Sequence, residues 1–179
     1  MKKDWEQQEL VNACLRGDRK AQHALYSNYA KAMYNICLRM VRNQADADDV
    51  LQSAFIHVFN HLGSFRGDAT LGAWIKRITV NTCINFVKKK RPEVLDWDDS
   101  LQNIPAERET DDAESRMNVQ RIKEAMHQLP DGYRIVFSLY LLEGYDHKEI
   151  AQILNITEAT SKSQFSRAKS RVRELITNA

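Results

Sequence analysis

The sequence predicts an all-α protein of two small helical domains joined by an acidic linker. Three observations carry this reading. Leu, Ala, Gln, Lys and Arg are plentiful, in segments whose apolar residues recur at helical steps without strand-like alternation. Across 179 residues there are only 6 Gly and 3 Pro. Charge is unevenly placed: residues 1–91 hold 15 Lys and Arg against 8 Asp and Glu, residues 92–114 hold 1 against 9, and residues 115–179 hold 10 against 7. The net charge of +2 therefore hides two basic modules, 1–91 and 115–179, flanking an acidic connector, 92–114. Basic modules favour polyanions, and such binding weakens steeply with salt.

The first module predicts four helices in order. Trp5–Leu15 stops near Gly17. Arg19–Val41 follows, with Ala24, Leu25, Tyr29, Met33, Ile36, Cys37 and Met40 at helical spacing. Asp46–Leu62 begins with acidic residues, which suit the positive end of a helix dipole, and carries the stripe Val50, Leu51, Ala54, Phe55, Val58 and Leu62. A loop bounded by Gly63 and Gly67 leads into the fourth helix, Thr70–Lys90, which Pro92 ends. The connector contains two prolines and lacks sustained periodicity, as a solvated tether would; Val94, Leu95, Trp97, Leu101 and Ile104 are its apolar residues.

The second module predicts helices at Ser115–Gln128, Tyr133–Glu143, His147–Leu154 and Glu158–Ile176. Gly144 suits a helix C-terminus, Asp146 an N-cap, and Thr157 the cap of the last helix. A short helix, the tight turn at Asn155-Ile156 and a basic helix make a helix-turn-helix.

Two surfaces carry chemistry suited to nucleic acid. In the fourth helix, Arg77, Asn81, Asn85 and Lys88 follow at steps of four, four and three and share one face, while Ile75, Ile78, Thr82 and Phe86 form a face for burial. The preceding loop offers Phe65 beside Arg66. Asn bonds a base edge, Arg and Lys hold phosphate, and Phe stacks on an extruded base. In the last helix, Lys162, Ser166 and Lys169 share one face, and Ser163, Arg167 and Arg171 another, with Thr160, Gln164 and Arg173 alongside. Ala159, Phe165, Ala168 and Val172 are expected to seat this helix, leaving Lys162, Ser163, Ser166 and Arg167 near its N-terminus as base readers. The bland alternatives are a solvated amphipathic helix for the last element and a dipole-compensating basic end for Lys88–Arg91. A third surface, Asp46, Asp48, Asp49, Gln52 and Ser53, would repel phosphate and suits a basic protein partner.

The segment FRGDATLGAWIKRITVNTCINFVKKKRP, Phe65 to Pro92, resembles regions 2.3 and 2.4 of an extracytoplasmic-function sigma factor of the sigma-70 family. DADDVLQSAFIHVF, Asp46 to Phe59, resembles region 2.2, and Leu129 to Ile176 resembles region 4. The resemblance implies a factor that binds core RNA polymerase and directs initiation at promoter DNA. Residues 1–91 would open and hold the −10 element through Phe65, Arg66, Arg77, Asn81, Asn85, Lys88 and Lys89. Residues 115–179 would read the −35 element through Thr160, Lys162, Ser163, Gln164, Ser166, Arg167, Lys169 and Arg171. Asp46, Asp49 and Gln52 would meet the polymerase clamp helices. The connector would run through the polymerase toward the RNA exit path. An anti-sigma factor is the family's usual control partner. The chain departs from the family pattern at Ser161, where a branched apolar residue is usual, and at Gln164, where Arg is usual. The first would loosen the seating of the last helix, and the second would alter base preference. Trp74 and Phe86 are expected in the core, which makes intrinsic melting power modest.

Other classes fit poorly. No GxSxG, GxxxxGK or HExxH occurs, so neither enzyme nor cofactor is expected. His57 and His61 lie four apart without an evident third ligand, so no metal is expected. No segment is apolar enough to span a membrane, and the N-terminus lacks a signal-peptide core. Cys14, Cys37 and Cys83 are scattered in sequence, as reduced thiols of a cytoplasmic protein would be. The rivals are an ordinary helix-turn-helix regulator that binds an operator as a dimer without polymerase and has no use for the Phe65–Lys90 segment, and a helical adaptor whose basic faces are merely solvated.

Overall fold

A computed structural model describes residues 2–90 and 119–177. The acidic connector 92–114, Arg91 and the expected helix start at Ser115 lie outside the described residues. Among those residues every regular element is a helix: α1 (Lys2–Leu15), α2 (Arg19–Val41), α3 (Gln44–His61), a 3₁₀ turn (Leu62–Ser64), α4 (Leu71–Lys90), α5 (Val119–Gln128), α6 (Asp131–Leu141), α7 (His147–Leu154) and α8 (Glu158–Thr177). The chain divides into two compact units, Met1–Phe86 and Val87–Ala179.

Local chemistry sets the boundaries in the first unit. Gly17 turns the chain at φ +81°, a left-handed conformation that glycine adopts without strain. Asp18 then caps α2, its carboxylate accepting from the Lys20 and Ala21 N–H groups. Asn43 caps α3 by accepting from Asp46 N–H at 3.0 Å, which places Asp46 in the favourable first turn. Thr70 Oγ1 accepts from Ala73 N–H at 3.2 Å and starts α4.

The core of this unit holds Leu25, Met33, Ile36, Cys37 and Met40 of α2 and the whole expected stripe of α3, from Val50 to Leu62. From α4 it takes Leu71, Ile75, Thr79, Val80, Cys83 and Ile84. This buried face differs from the expected one, because Ile78 and Phe86 are half-exposed at its edge. Thr79 and Thr82 are nevertheless buried, each hydroxyl donating to the carbonyl four residues back, Ile75 at 3.0 Å and Ile78 at 2.8 Å. The thiols of Cys37 and Cys83, separated by 46 residues, meet at 3.7 Å in the interior. Burial and the nearby Asp18 carboxylate raise the Cys14 thiol above its ordinary pKa.

In the second unit Ala125, Met126, Leu129, Phe137, Ala168 and Val172 form one apolar cluster joining α5, α6 and α8. α6 begins at Asp131, two residues before the expected start, with Pro130 as its N-cap, and ends at Leu141. Gly144 takes φ +75° beyond that end. α7 has the expected bounds and a complete capping box: Asp146 accepts from Glu149 N–H at 2.7 Å, and Glu149 accepts from Asp146 N–H at 2.8 Å. Asn155 closes α7 in the left-handed region, at φ 59°. Thr157 Oγ1 accepts from Thr160 N–H at 3.0 Å and caps α8.

Candidate nucleic-acid and protein interfaces

The first candidate surface is the outer face of α4 with the loop before it. Arg77, Asn81, Asn85 and Lys89 are exposed and Lys88 is half-buried, so the row of polar side chains faces solvent. Lys88, Lys89 and Lys90 occupy the last turn, where the helix dipole favours cations. Arg66 is exposed. Phe65 is half-buried, and its ring lies 5.6 Å from that of Trp74 at 59°. Trp74 is not a core residue, contrary to expectation; it and Phe86 are both half-buried. Two aromatic rings thus stand beside the polar row, where the sequence pointed to Phe65 alone. The loop is shaped by Ser64 Oγ donating to the His61 carbonyl at 2.7 Å and by Gly67 at φ +79°, a conformation that disfavours a side chain.

The second candidate surface is α8. Lys162, Arg171 and Arg173 are exposed, and Ser163, Ser166, Arg167 and Lys169 are half-buried. Two of the cations are tied on the surface: Lys162 Nζ lies 2.7 Å from Glu158 Oε1, and Arg171 Nη1 lies 2.7 Å from Glu174 Oε2. The hydrogen bond from Lys162 and its charge hold the Glu158 carboxyl below its ordinary pKa. Ser163 Oγ donates to the Thr160 carbonyl at 3.0 Å.

Thr160 and Gln164, expected to face DNA, are buried at 3% and 6% exposure. Their side chains help seat α8, together with Ser161, Ala168 and Val172, because the interior face runs through positions 161, 164, 168 and 172. Ala159, expected in that seat, is exposed. The Gln164 Oε1 atom is buried without a hydrogen-bond partner. Position 164 thus belongs to the seat of α8. Ser161, expected to loosen that seat, is fully buried, and its hydroxyl lies 2.9 Å from His147 Nδ1.

The third candidate surface lies on α2 and α3. Asp49 and Gln52 rim an open groove of about 500 Å³, with Asp48 beside them. Tyr26, Phe55, Ile56 and Phe59 supply its apolar part. Tyr26 and Phe55 meet edge to face with centroids 4.7 Å apart, and Ile56 is 54% exposed. Asp46 is half-buried at the start of α3 and does not line the groove. The apolar component was missed from sequence. Its signal was Ile56, four residues after Gln52 and outside the core stripe of α3.

His57 and His61 are exposed, and no group of three or more potential metal ligands occurs among the described residues. None of the described helices is long and apolar enough to cross a membrane.

Comparison with known proteins gives two family matches in sequence order: Sigma-70 region 2 over residues 25–93 and Sigma-70 region 4 over residues 119–172. The chain is 30% identical to the ECF RNA polymerase sigma factor SigM of Mycobacterium tuberculosis over 169 residues, covering 94% of this chain and 83% of the relative. It is 32% identical to the ECF RNA polymerase sigma-E factor of Haemophilus influenzae over 181 residues, covering 96% and 93%. Among solved structures, the fold is similar to that of the sigma factor RpoE from Bartonella quintana, solved with the anti-sigma factor NepR. That likeness has a TM-score of 0.58 at 22% identity and covers 87% of this chain and 96% of the other.

Proposed function

Since the chain belongs to the extracytoplasmic-function group of the sigma-70 family, we infer that its three surfaces divide the work of a transcription initiation factor. The factor associates with core RNA polymerase and directs initiation at specific promoters. Its domains are taken as 1–91, 92–114 and 115–179, with sigma region 2 first and region 4 last. In this reading α4 and the Phe65 loop engage the −10 element. Asn81 and Asn85 line the non-template strand, Arg77, Lys88 and Lys89 hold phosphates, and Phe65 with Arg66 captures an unstacked base. The observation that carries the reading is the exposed row Arg77–Asn81–Asn85 beside the Phe65–Trp74 ring pair. A merely structural helix gains nothing from that combination.

α8 enters the major groove at the −35 element, with Lys162, Ser163, Ser166 and Arg167 toward the bases and Lys169 and Arg171 toward phosphate. The Asp49–Gln52 rim and the apolar groove beside it receive the polymerase, basic groups meeting the carboxylates and an apolar side chain entering against Phe55 and Ile56. Two modules on one DNA gain from effective concentration only when the promoter spacer fits the connector. The factor has no catalysis of its own, acts in the cytoplasm, and is controlled by an anti-sigma factor. The last point is supported by the fold's likeness to a sigma factor solved in such a complex.

The test is run-off transcription with the purified chain, matched core polymerase and a randomised promoter library. Enrichment of templates with paired −35 and −10 motifs at fixed spacing is the expected result. No initiation with active core enzyme, combined with tight duplex binding by the chain alone, would move the assignment to a helix-turn-helix regulator.

A further inference from the structure

One side chain outside the expected DNA-contacting set ties the helix-turn-helix together. His147 opens α7, and its Nδ1 lies 2.9 Å from the Oγ of Ser161 in the first turn of α8. The imidazole stacks on Tyr140 of α6 with centroids 4.5 Å apart and planes 16° apart. Phe165 of α8 completes the group, 4.5 Å from Tyr140 and 5.7 Å from His147. Three helices therefore meet at one imidazole. Ser161 is fully buried, and a buried hydroxyl left without a partner is costly. A branched apolar residue would need no partner here; serine does, and His147 supplies it.

We propose that His147 is a positioning residue for −35 recognition: its neutral imidazole, held between Tyr140 and Ser161, fixes the orientation at which α8 presents Lys162, Ser166 and Arg167, so that promoter binding weakens on acidification. This rests on the sigma-factor reading above. Asp146 at the α7 cap, Glu158 and Lys162 on α8 and the Tyr140 phenol on α6 are the titratable groups around the ring. Burial, with help from the Lys162 ammonium, lowers the His147 pKa below 6.5, and the Glu158 and Asp146 carboxylates oppose this more weakly. A group lowered in the folded state takes its proton first in the unfolded chain. Its contribution is complete above pH 6.5 and is lost as pH falls through that value toward the folded pKa.

The experiment measures binding of the chain with core polymerase to a promoter duplex selected by the library above, from pH 7.5 down through the His147 titration as the imidazole C2 proton reports it by NMR. Ser161→Ala and His147→Ala should each weaken binding about three- to tenfold at pH 7.5, as expected for loss of one buried hydrogen bond. The double variant should be no weaker than the worse single one, because both remove the same bond. His147→Asn, whose amide stands near the place of Nδ1 and does not titrate, should recover most of the binding lost in His147→Ala and flatten the pH dependence. Additive losses in the double variant, or a His147→Asn pH profile matching that of the parent, would overturn the proposal. A second readout needs no promoter: hydrogen exchange of the α8 amides in the free full chain, followed beside the imidazole C2 proton by NMR. Exchange near Ser161 should rise in step with His147 protonation and in Ser161→Ala. Unchanged exchange in both cases overturns the proposal whatever the promoter assay gives. Failure of the parent to bind any promoter, with exchange behaving as expected, would instead sink the sigma-factor reading.

Discussion

Arg134 Nη1 lies 2.6 Å from Asp131 Oδ1 inside the second unit, with the two side chains only 2% and 7% exposed. The same guanidinium nitrogen donates to the Leu129 carbonyl at 3.3 Å, so the pair fastens the chain between α5 and α6. Removing one partner leaves a buried charge. Asp131→Ala is expected to destabilise this unit by about 3–5 kcal/mol, whereas replacing both residues by apolar ones of similar size should restore most of that loss. Chemical denaturation followed by far-ultraviolet circular dichroism measures both. A near-neutral Asp131→Ala would mean that the guanidinium finds other partners or water.

How much of this was legible depended on whether the signal was local. α2 and α7 have the expected bounds because strong punctuation surrounds them: Gly17-Asp18 before one, Asp146 before and Asn155 after the other. α6 starts two residues before the expected Tyr133, with Pro130 just ahead of it, a residue that suits a helix start. The core stripe of α3 was readable because it is apolar throughout. The seat of α8 was not, because Thr160, Ser161 and Gln164 are polar and buried, and hydropathy spacing pointed to Ala159 instead. The Cys37–Cys83 contact and the His147–Ser161 bond join residues distant in sequence, and no local pattern encodes them. The polar row on α4 needed only helical spacing. The half-exposed position of Trp74 needed the packed structure.

Asn81 and Phe65 should separate promoter opening from folding. Asn81 is exposed and Phe65 half-buried, so alanine at Asn81 should leave thermal stability nearly unchanged and alanine at Phe65 should lower it only slightly. Loss of a stacked base is worth about 1–3 kcal/mol, so Phe65→Ala should reduce open-complex formation by about five- to 150-fold. Permanganate footprinting of unpaired thymines reads this directly. Supplying a template already melted over the −10 region should recover part of the loss if Phe65 acts in strand capture. Equal loss on duplex and premelted templates would place its role elsewhere.

Arg167 is expected to act at the −35 element alone. Arg167→Glu reverses a half-buried charge on α8, far in sequence from the α2–α3 groove. Its promoter affinity should fall at least tenfold, as for loss of a bidentate base contact worth about 1–3 kcal/mol with added phosphate repulsion. Affinity for core polymerase in the absence of DNA should change by less than about twofold, the scatter expected for a surface substitution away from an interface. An unaltered promoter profile from the randomised library would remove Arg167 from the base readers.

The groove beside Asp49 predicts two separable losses in polymerase binding. Asp49→Lys changes a rim charge, so it should act mainly on the association rate, and the defect should shrink as salt rises and screens the interaction. Ile56→Ala removes an exposed aliphatic group without changing charge. If an apolar side chain of the partner covers Ile56, its loss should appear mainly in the dissociation rate, and salt should hardly affect it. Burying such a side chain is worth about 1.5–3 kcal/mol, so truncation should cost roughly tenfold in affinity. Neither residue supports the core, since Asp49 and Ile56 are both exposed, and circular dichroism of each variant should match the parent. Binding kinetics with immobilised core polymerase at two salt concentrations distinguish the effects. A salt-sensitive loss at Asp49 with no loss at Ile56 would mean that the rim is read electrostatically while the groove stays empty. Losses at neither position would move the polymerase contact off this face of α2 and α3.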